Sequence, residues 1–167
     1  ISSAEKAKWI ENQGCPNEWA PVFRKKFQLK EAEQVEIAIC GLGFYVLEVN
    51  GKRVTDELLT PPFTTYDKKV LYQVYDITNN VVAGENVIEV TCGNGWFNQK
   101  EADDWIFQHA VWKSAPQMIC QVNVDGNCFL VSDSTWVSAK SRTYFNSHRL
   151  GDSYDATIDI QGFHRVD

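Results

Sequence analysis

The sequence predicts an all-β fold, an antiparallel β-sandwich of jelly-roll type with little helix. Three observations carry this. Apolar and polar residues alternate with a period of two in four separate segments, the pattern of strands that bury one face. Two dipeptides, Asn50-Gly51 and Asp125-Gly126, stand between such segments and supply the positive φ angles of a type I′ hairpin turn. Strand-like runs, about ten of them, follow one another at short spacing, and helical signals are few.

Taken in order, Ser2-x-x-Glu5 would cap one short helical turn at the start. Val22 to Leu29 reads as the first strand. Gln34 to Cys40 places Val35, Ile37 and Ile39 on one face. Gly41-Leu42-Gly43 lies between two strands, so it reads as a bend or bulge; a phosphate-binding loop would precede a helix. Phe44 to Val49 turns through Asn50-Gly51 into Lys52-Arg53-Val54. Lys69 to Tyr75 is apolar on both faces and is expected to be a central strand, with a helical turn from Asp76 to Val82 after it. In Asn86 to Cys92, Ile88, Val90 and Cys92 share a face. Gln117 to Val124 aligns Met118, Cys120, Val122 and Val124, then turns through Asp125-Gly126 into Asn127 to Val131. A short strand near Trp136 and another at Thr143-Tyr144-Phe145 follow. Tyr154 to Ile160 alternates Ala156, Ile158 and Ile160 with polar residues and reads as the last strand.

Composition narrows the function. The 167 residues are 44% apolar and 23% charged, an ordinary globular balance for a single domain spanning 1–167. No apolar run approaches the roughly 20 residues of a membrane span. Net charge is −6, and the longest basic cluster is Arg24-Lys25-Lys26, which argues against nucleic acid and against an anionic membrane surface as partners. The first residues, which do not include an initial Met, carry no apolar core of a signal peptide. Cys15, Cys40, Cys92, Cys120 and Cys128 are not spaced as zinc ligands. Cys40, Cys92, Cys120 and Cys128 fall in apolar strand-like runs, where small buried thiols are expected. The odd count fits a reducing, cytoplasmic compartment better than an oxidising one.

No G-x-S-x-G, H-E-x-x-H or Walker-type loop is present, and His109, His148 and His164 lie far in sequence from every cysteine. Six Trp, six Tyr and nine Phe are the compositional excess, and most will serve packing. The longest strand-poor stretch, from Asn94 to Lys113, collects Trp96, Phe97 and Trp105 beside Asn94, Asn98, Asp103 and Asp104. Long loops of this kind in compact domains are usually functional. A flat ring stacks on the C–H face of a sugar while amides and carboxylates take its hydroxyls. Asn94, Trp96, Asn98, Asp104 and Trp105 are therefore the candidate carbohydrate-binding residues. The same loop oxygens could contribute to a calcium shell, or the aromatics could anchor the loop to the sandwich. Asp103-Asp104 is too thin a signal for a catalytic pair, so no catalytic residue is assigned.

Several segments, in order, carry a resemblance. Leu42 to Val54 resembles the G-x-Y-x-L-x-x-N-G-x-x-V segment of bacterial α-L-rhamnosidases, and Leu59 to Thr78 their L-x-P-x-x-T-x-Y stretch. Gly84-Glu85-Asn86, Gly93-Asn94-Gly95-Trp96-Phe97, Ala115-Pro116-Gln117 and Ser132 to Trp136 match further segments. Gly151-Asp152-Ser153-Tyr154-Asp155-Ala156 is similar to G-E-x-Y-D-A, with Asp152 in place of Glu. The chain thus resembles the N-terminal β-sandwich module, galactose-binding-domain-like in fold, of glycoside hydrolase family 78. The resemblance implies a fragment of a larger multidomain glycosidase, whose catalytic carboxylates lie on a separate (α/α)6 barrel of the same polypeptide. Twelve helices of that barrel, at about 11–12 residues each, would consume nearly all of this chain. It also implies two roles, an accessory module binding a rhamnose-containing carbohydrate, in some members through calcium, or a structural module packed against the barrel. A self-standing hydrolase is the third reading, and no residue pattern supports it.

Overall fold

The computed structural model describes residues 6–12, 14, 19–102 and 104–158. The strands are β1 (Ile10–Glu11), β2 (Pro21–Leu29), β3 (Val35–Leu42), β4 (Phe44–Val49), β5 (Lys52–Arg53), β6 (Gln73–Asp76), β7 (Gly84–Gly93), β8 (Gln117–Val124), β9 (Asn127–Val131), β10 (Val137–Lys140), β11 (Thr143–Ser147) and β12 (Gly151–Tyr154). One sheet runs β1-β8-β3-β6, with β9 on the same edge of β8 as β1. The other runs β10-β2-β7-β4-β5, and β11-β12 form a separate hairpin. Each pairing is antiparallel. The jelly-roll-type antiparallel sandwich expected from the sequence is the fold observed, and no α-helix occurs among the described residues.

Partners in an antiparallel ladder face the same side. The register Ile37↔Val122 and Ile39↔Cys120 therefore puts Val35, Ile37, Ile39, Met118, Cys120 and Val122 on one inner face. Phe23↔Val90 and Leu47↔Val90 do the same for Phe23, Phe27, Leu47, Val49, Ile88 and Cys92. The two faces meet in one core, to which Ile77 and Trp136 also belong. The chain passes between sheets at Gly43, where β3 ends and β4 begins. Its φ is 101°, and a Cβ there would sit 1.9 Å from the Gly93 carbonyl oxygen. Only glycine permits that crossing. Both hairpin dipeptides take the expected turn, with φ of 53° and 71° at Asn50-Gly51 and 48° and 77° at Asp125-Gly126.

Three expectations need correction. The central strand expected over Lys69 to Tyr75 is the edge strand β6, which starts at Gln73. Tyr72 and Val74 are exposed there, so apolar residues on both faces did not mean burial on both faces. The strand expected from Tyr154 to Ile160 stops at Tyr154. Asp155 instead accepts hydrogen bonds from the Thr157 N–H (2.8 Å) and Oγ1 (2.6 Å), closing a turn; Asp159 and Ile160 lie outside the described residues. Cys40, Cys92 and Cys120 are buried thiols as expected, but Cys128 is exposed on the edge strand β9. Ser2, Glu5 and Cys15 lie outside the described residues. The turn expected after Asp76 is present, the Ile77 carbonyl accepting from Asn80 N (2.8 Å) and Val81 N (3.3 Å).

Candidate functional site

The long loop after β7 is built from its polar residues inward. Asn94 is buried, its N–H donating to Asn146 Oδ1 (2.5 Å) and its Nδ2 to the Asn146 carbonyl (3.1 Å). Asn98, also buried, donates from Nδ2 to Asn94 Oδ1 (2.7 Å) and from its N–H to the Asn94 carbonyl (3.0 Å). The buried Gln99 donates from Nε2 to the Glu101 carbonyl (2.9 Å). The space enclosed among these side chains and Ser147 and His148 is about 10 Å³, room for one water and no more. Asn94 thus ties the loop to β11, and Asn98 braces Asn94.

The aromatics form the other half. Phe63 and Tyr66, from the segment before β6, pack with Trp96, Phe97, Phe107 and Trp112 at ring separations of 5.2–6.4 Å. Trp96 is half-buried, 3.9 Å from the His148 ring, with the Arg149 guanidinium 5.6 Å over its face. Trp105 is 68% exposed and reaches the cluster through Phe107 at 6.0 Å. Asp104 beside it is exposed. Of the five candidate residues, Asn94, Trp96 and Asn98 are close together and engaged within the protein; Asp104 and Trp105 stand outward. Among the described residues, no three His, Cys, Asp or Glu side chains meet where a metal could sit. Asn94 Oδ1 accepts from Asn98 Nδ2, while the Asp104 carboxylate stands in solvent. Asp103 lies outside the described residues.

A groove not foreseen from the sequence lies on the outer face of the second sheet. Its volume is about 510 Å³, within the usual range of ligand clefts. Phe44, Val46 and Thr91 line the sheet, with Leu58 and Leu59 from the segment after β5 and Ser147 and Asp152 from the β11–β12 hairpin. Distant segments contribute to it, so no local pattern announces it. At its edge, Tyr75 Oη (2.9 Å) and Gln73 Nε2 (3.1 Å) donate to Glu57 Oε2, and Tyr45 Oη donates to Gln73 Oε1 (2.7 Å). Burial, then the hydrogen bond with Tyr75, pushes the Tyr45 phenol well above its ordinary range.

Comparison with known proteins supplies the context. Residues 30–167 match the family model described as Alpha-L-rhamnosidase N-terminal domain. A curated α-L-rhamnosidase of Formosa agariphila is 33% identical over 150 residues, 84% of this chain and 16% of that protein. The solved α-L-rhamnosidase from Dictyoglumus thermophilum superposes with a TM-score of 0.79 at 33% identity, covering 95% of this chain and 19% of that one. The Streptomyces avermitilis α-L-rhamnosidase, solved in complex with L-rhamnose, gives 0.78 at 27% identity, covering 89% and 15%. The chain spans less than a fifth of the length of the curated relatives it matches.

Proposed function

The chain belongs to the α-L-rhamnosidase N-terminal domain family, and from that premise we propose that it is the non-catalytic accessory β-sandwich, one domain over 1–167, of a larger α-L-rhamnosidase. It packs beside the catalytic (α/α)6 barrel of the same polypeptide. One observation carries this reading: the family match takes in residues 30–167, most of the chain, yet the matched span is a small part of each relative's length. The inward-facing amides of the aromatic loop support it, because they build a rigid support for exposed apolar side chains.

A second reading, binding of a rhamnose-containing carbohydrate, is favoured by the exposed Trp105 ring beside Asp104. Asn94 and Asn98 would then hold the loop's shape, Trp96 would back it, and the contact would fall to Trp105 and Asp104. Calorimetric titration of L-rhamnose into the chain, with and without calcium, separates the two. The first reading expects no heat of binding. Saturable heat that Trp105→Ala abolishes would establish the second and give the module a ligand.

A further inference from the structure

The first sheet ends at β6, which pairs with β3 on one side only. The Ile77 N–H donates to the Val35 carbonyl (2.8 Å). Backbone groups alternate in direction along a strand, so Gln73, Tyr75 and Ile77 turn theirs to β3, and Tyr72, Val74 and Asp76 turn theirs away from the sheet. The alternation of exposed and half-buried side chains runs back to Val70, three residues ahead of the ladder with β3. Val70 (37%), Tyr72 (69%) and Val74 (54%) are exposed on the outer face, with Lys68 and Asp76 exposed at the two ends. The edge is held in place. Gln73 and Tyr75 donate to Glu57, and Tyr45 Oη donates to Gln73. At its start the Lys68 and Lys69 N–H groups both donate to the Thr65 carbonyl (2.8 and 2.9 Å).

Proteins keep sheet edges from pairing with charges, prolines, bulges or short strands. The other edges of the two sheets carry such devices. β1 is two residues long, β5 is Lys52-Arg53, β10 carries Lys140, and the ladder of β9 shifts register opposite Val122 and Asn123. From Val70 to Tyr75 there is neither a proline nor a charged residue.

We propose that the β6 edge, residues 68–76, pairs antiparallel with the same edge of a second copy, Tyr72 lying opposite Tyr72 on the two-fold axis. The self-complementarity of the edge names the occupant. A two-fold axis through a continuous sheet keeps each side chain on its own face, so residues of the same parity must oppose one another. Centring on Tyr72 meets this and sets Val70 against Val74 and Lys68 against Asp76, twice each. Each of these pairs would be a hydrogen-bonded one, because the even-numbered residues carry the outward backbone groups. Centring on Leu71 sets Lys68 against Val74, on Gln73 Val70 against Asp76, and on Val74 Tyr72 against Asp76. Only the Tyr72 register matches apolar with apolar and cation with anion throughout. The proposal goes beyond the accessory-domain reading and stands without it.

Sedimentation of the 167-residue chain tests it. A reversible dimer is expected, its fraction rising with concentration; a chain still monomeric at about 1 mM overturns the proposal. Tyr72→Lys sets two cations face to face at an exposed position. It should leave the fold intact by circular dichroism and move the dimer midpoint to roughly tenfold higher concentration; an unmoved midpoint places the dimer elsewhere and overturns the proposal. Register is read by cross-linking in a Cys15→Ser, Cys128→Ser background. Tyr72→Cys puts opposed Cα atoms about 5.5 Å apart, within disulfide reach, and should give a covalent dimer under mild oxidation. Val74→Cys should not, since its two copies lie roughly 14 Å apart. Cross-linking at 74 without cross-linking at 72 overturns the register. Amides of Tyr72 and Val74 should exchange about tenfold more slowly in the dimer; slowing on β9 or β10 in their place overturns the proposal.

Discussion

Asn86 is fully buried, and its amide is satisfied at both atoms. Nδ2 donates to the carbonyls of Val82 (2.7 Å) and Gly84 (3.1 Å), while Oδ1 accepts from Val82 N (2.8 Å) and Asn50 Nδ2 (2.9 Å). Asn50 in turn accepts from Val87 N (2.9 Å), so one amide fastens the first hairpin turn to the approach of β7. Asn86→Ala strands several of these groups and is expected to cost about 2–4 kcal/mol, read from urea unfolding; a loss below about 1 kcal/mol would show that the network can be rewired. Gly43→Ala is expected to prevent folding, since its Cβ would overlap the Gly93 carbonyl, whereas Gly51→Ala, with nothing within 4 Å, should cost only about 1 kcal/mol. Thiol chemistry follows burial as well. Burial pushes the Cys40 thiol up to about 11, and Cys92 and Cys120 further in the same direction. With Cys15→Ser, Ellman's reagent at pH 8 should label exposed Cys128 promptly and the other three only after unfolding. A second prompt thiol would contradict the buried placement. Strand parity made Cys92 and Cys120 legible as core residues, while Cys40 was legible only from the apolar run it ends, since it lies on the face opposite Val35, Ile37 and Ile39. Cys128 was misread because an edge strand leaves a face in solvent whatever its residues.

Three short turns share one device at the level of elements. Asp76, Asp133 and Asp155 each accept from the backbone N–H and hydroxyl of the threonine two residues on, an Asx turn that stops or redirects a strand. The threonine hydroxyl foremost, then its N–H, holds each carboxyl below the usual carboxylate range. A lowered native pKa stabilises the fold above about pH 4 and ceases to do so as pH falls through the native value. Combined Asp76→Asn, Asp133→Asn and Asp155→Asn keeps the acceptors but removes the titration. Stability between pH 4.5 and 2.5 should then decline less steeply than in the parent, as followed by circular dichroism; identical slopes would remove these turns from the acid response. The period of two and the Asn-Gly and Asp-Gly turns made most strands legible, because both are local signals. The run after Tyr154 was misread because Asp155 closes on Thr157, a contact that alternation does not register. At β6, Val74 and Tyr72 carry an apolar pattern that pairing leaves at an edge.

At the scale of the whole molecule, the isolated chain is expected not to hydrolyse rhamnosides. Nitrophenol release from an aryl rhamnoside, surviving repurification and lost in a single carboxylate variant, would overturn that. The aromatic loop was legible as a long strand-poor run, but the inward turn of Asn94, and of Asn98 bonded to it, was not, because Asn146, the anchor of Asn94, comes from the distant β11. The groove on the second sheet was invisible for the same reason. The strand order has a consequence for how this chain reaches its native state. β2 lies between β7 and β10, pairing Val22 with Thr91 and with Ala139, so neither of its neighbours is near in sequence. The tight hairpins, β4–β5 and β8–β9, can close within about 1–10 μs, but β2 must await two long closures. Refolding followed by stopped-flow tryptophan fluorescence is therefore expected in the millisecond-to-second range. During that wait β2 is an open template for another chain, so the yield of refolded protein should fall as its concentration rises.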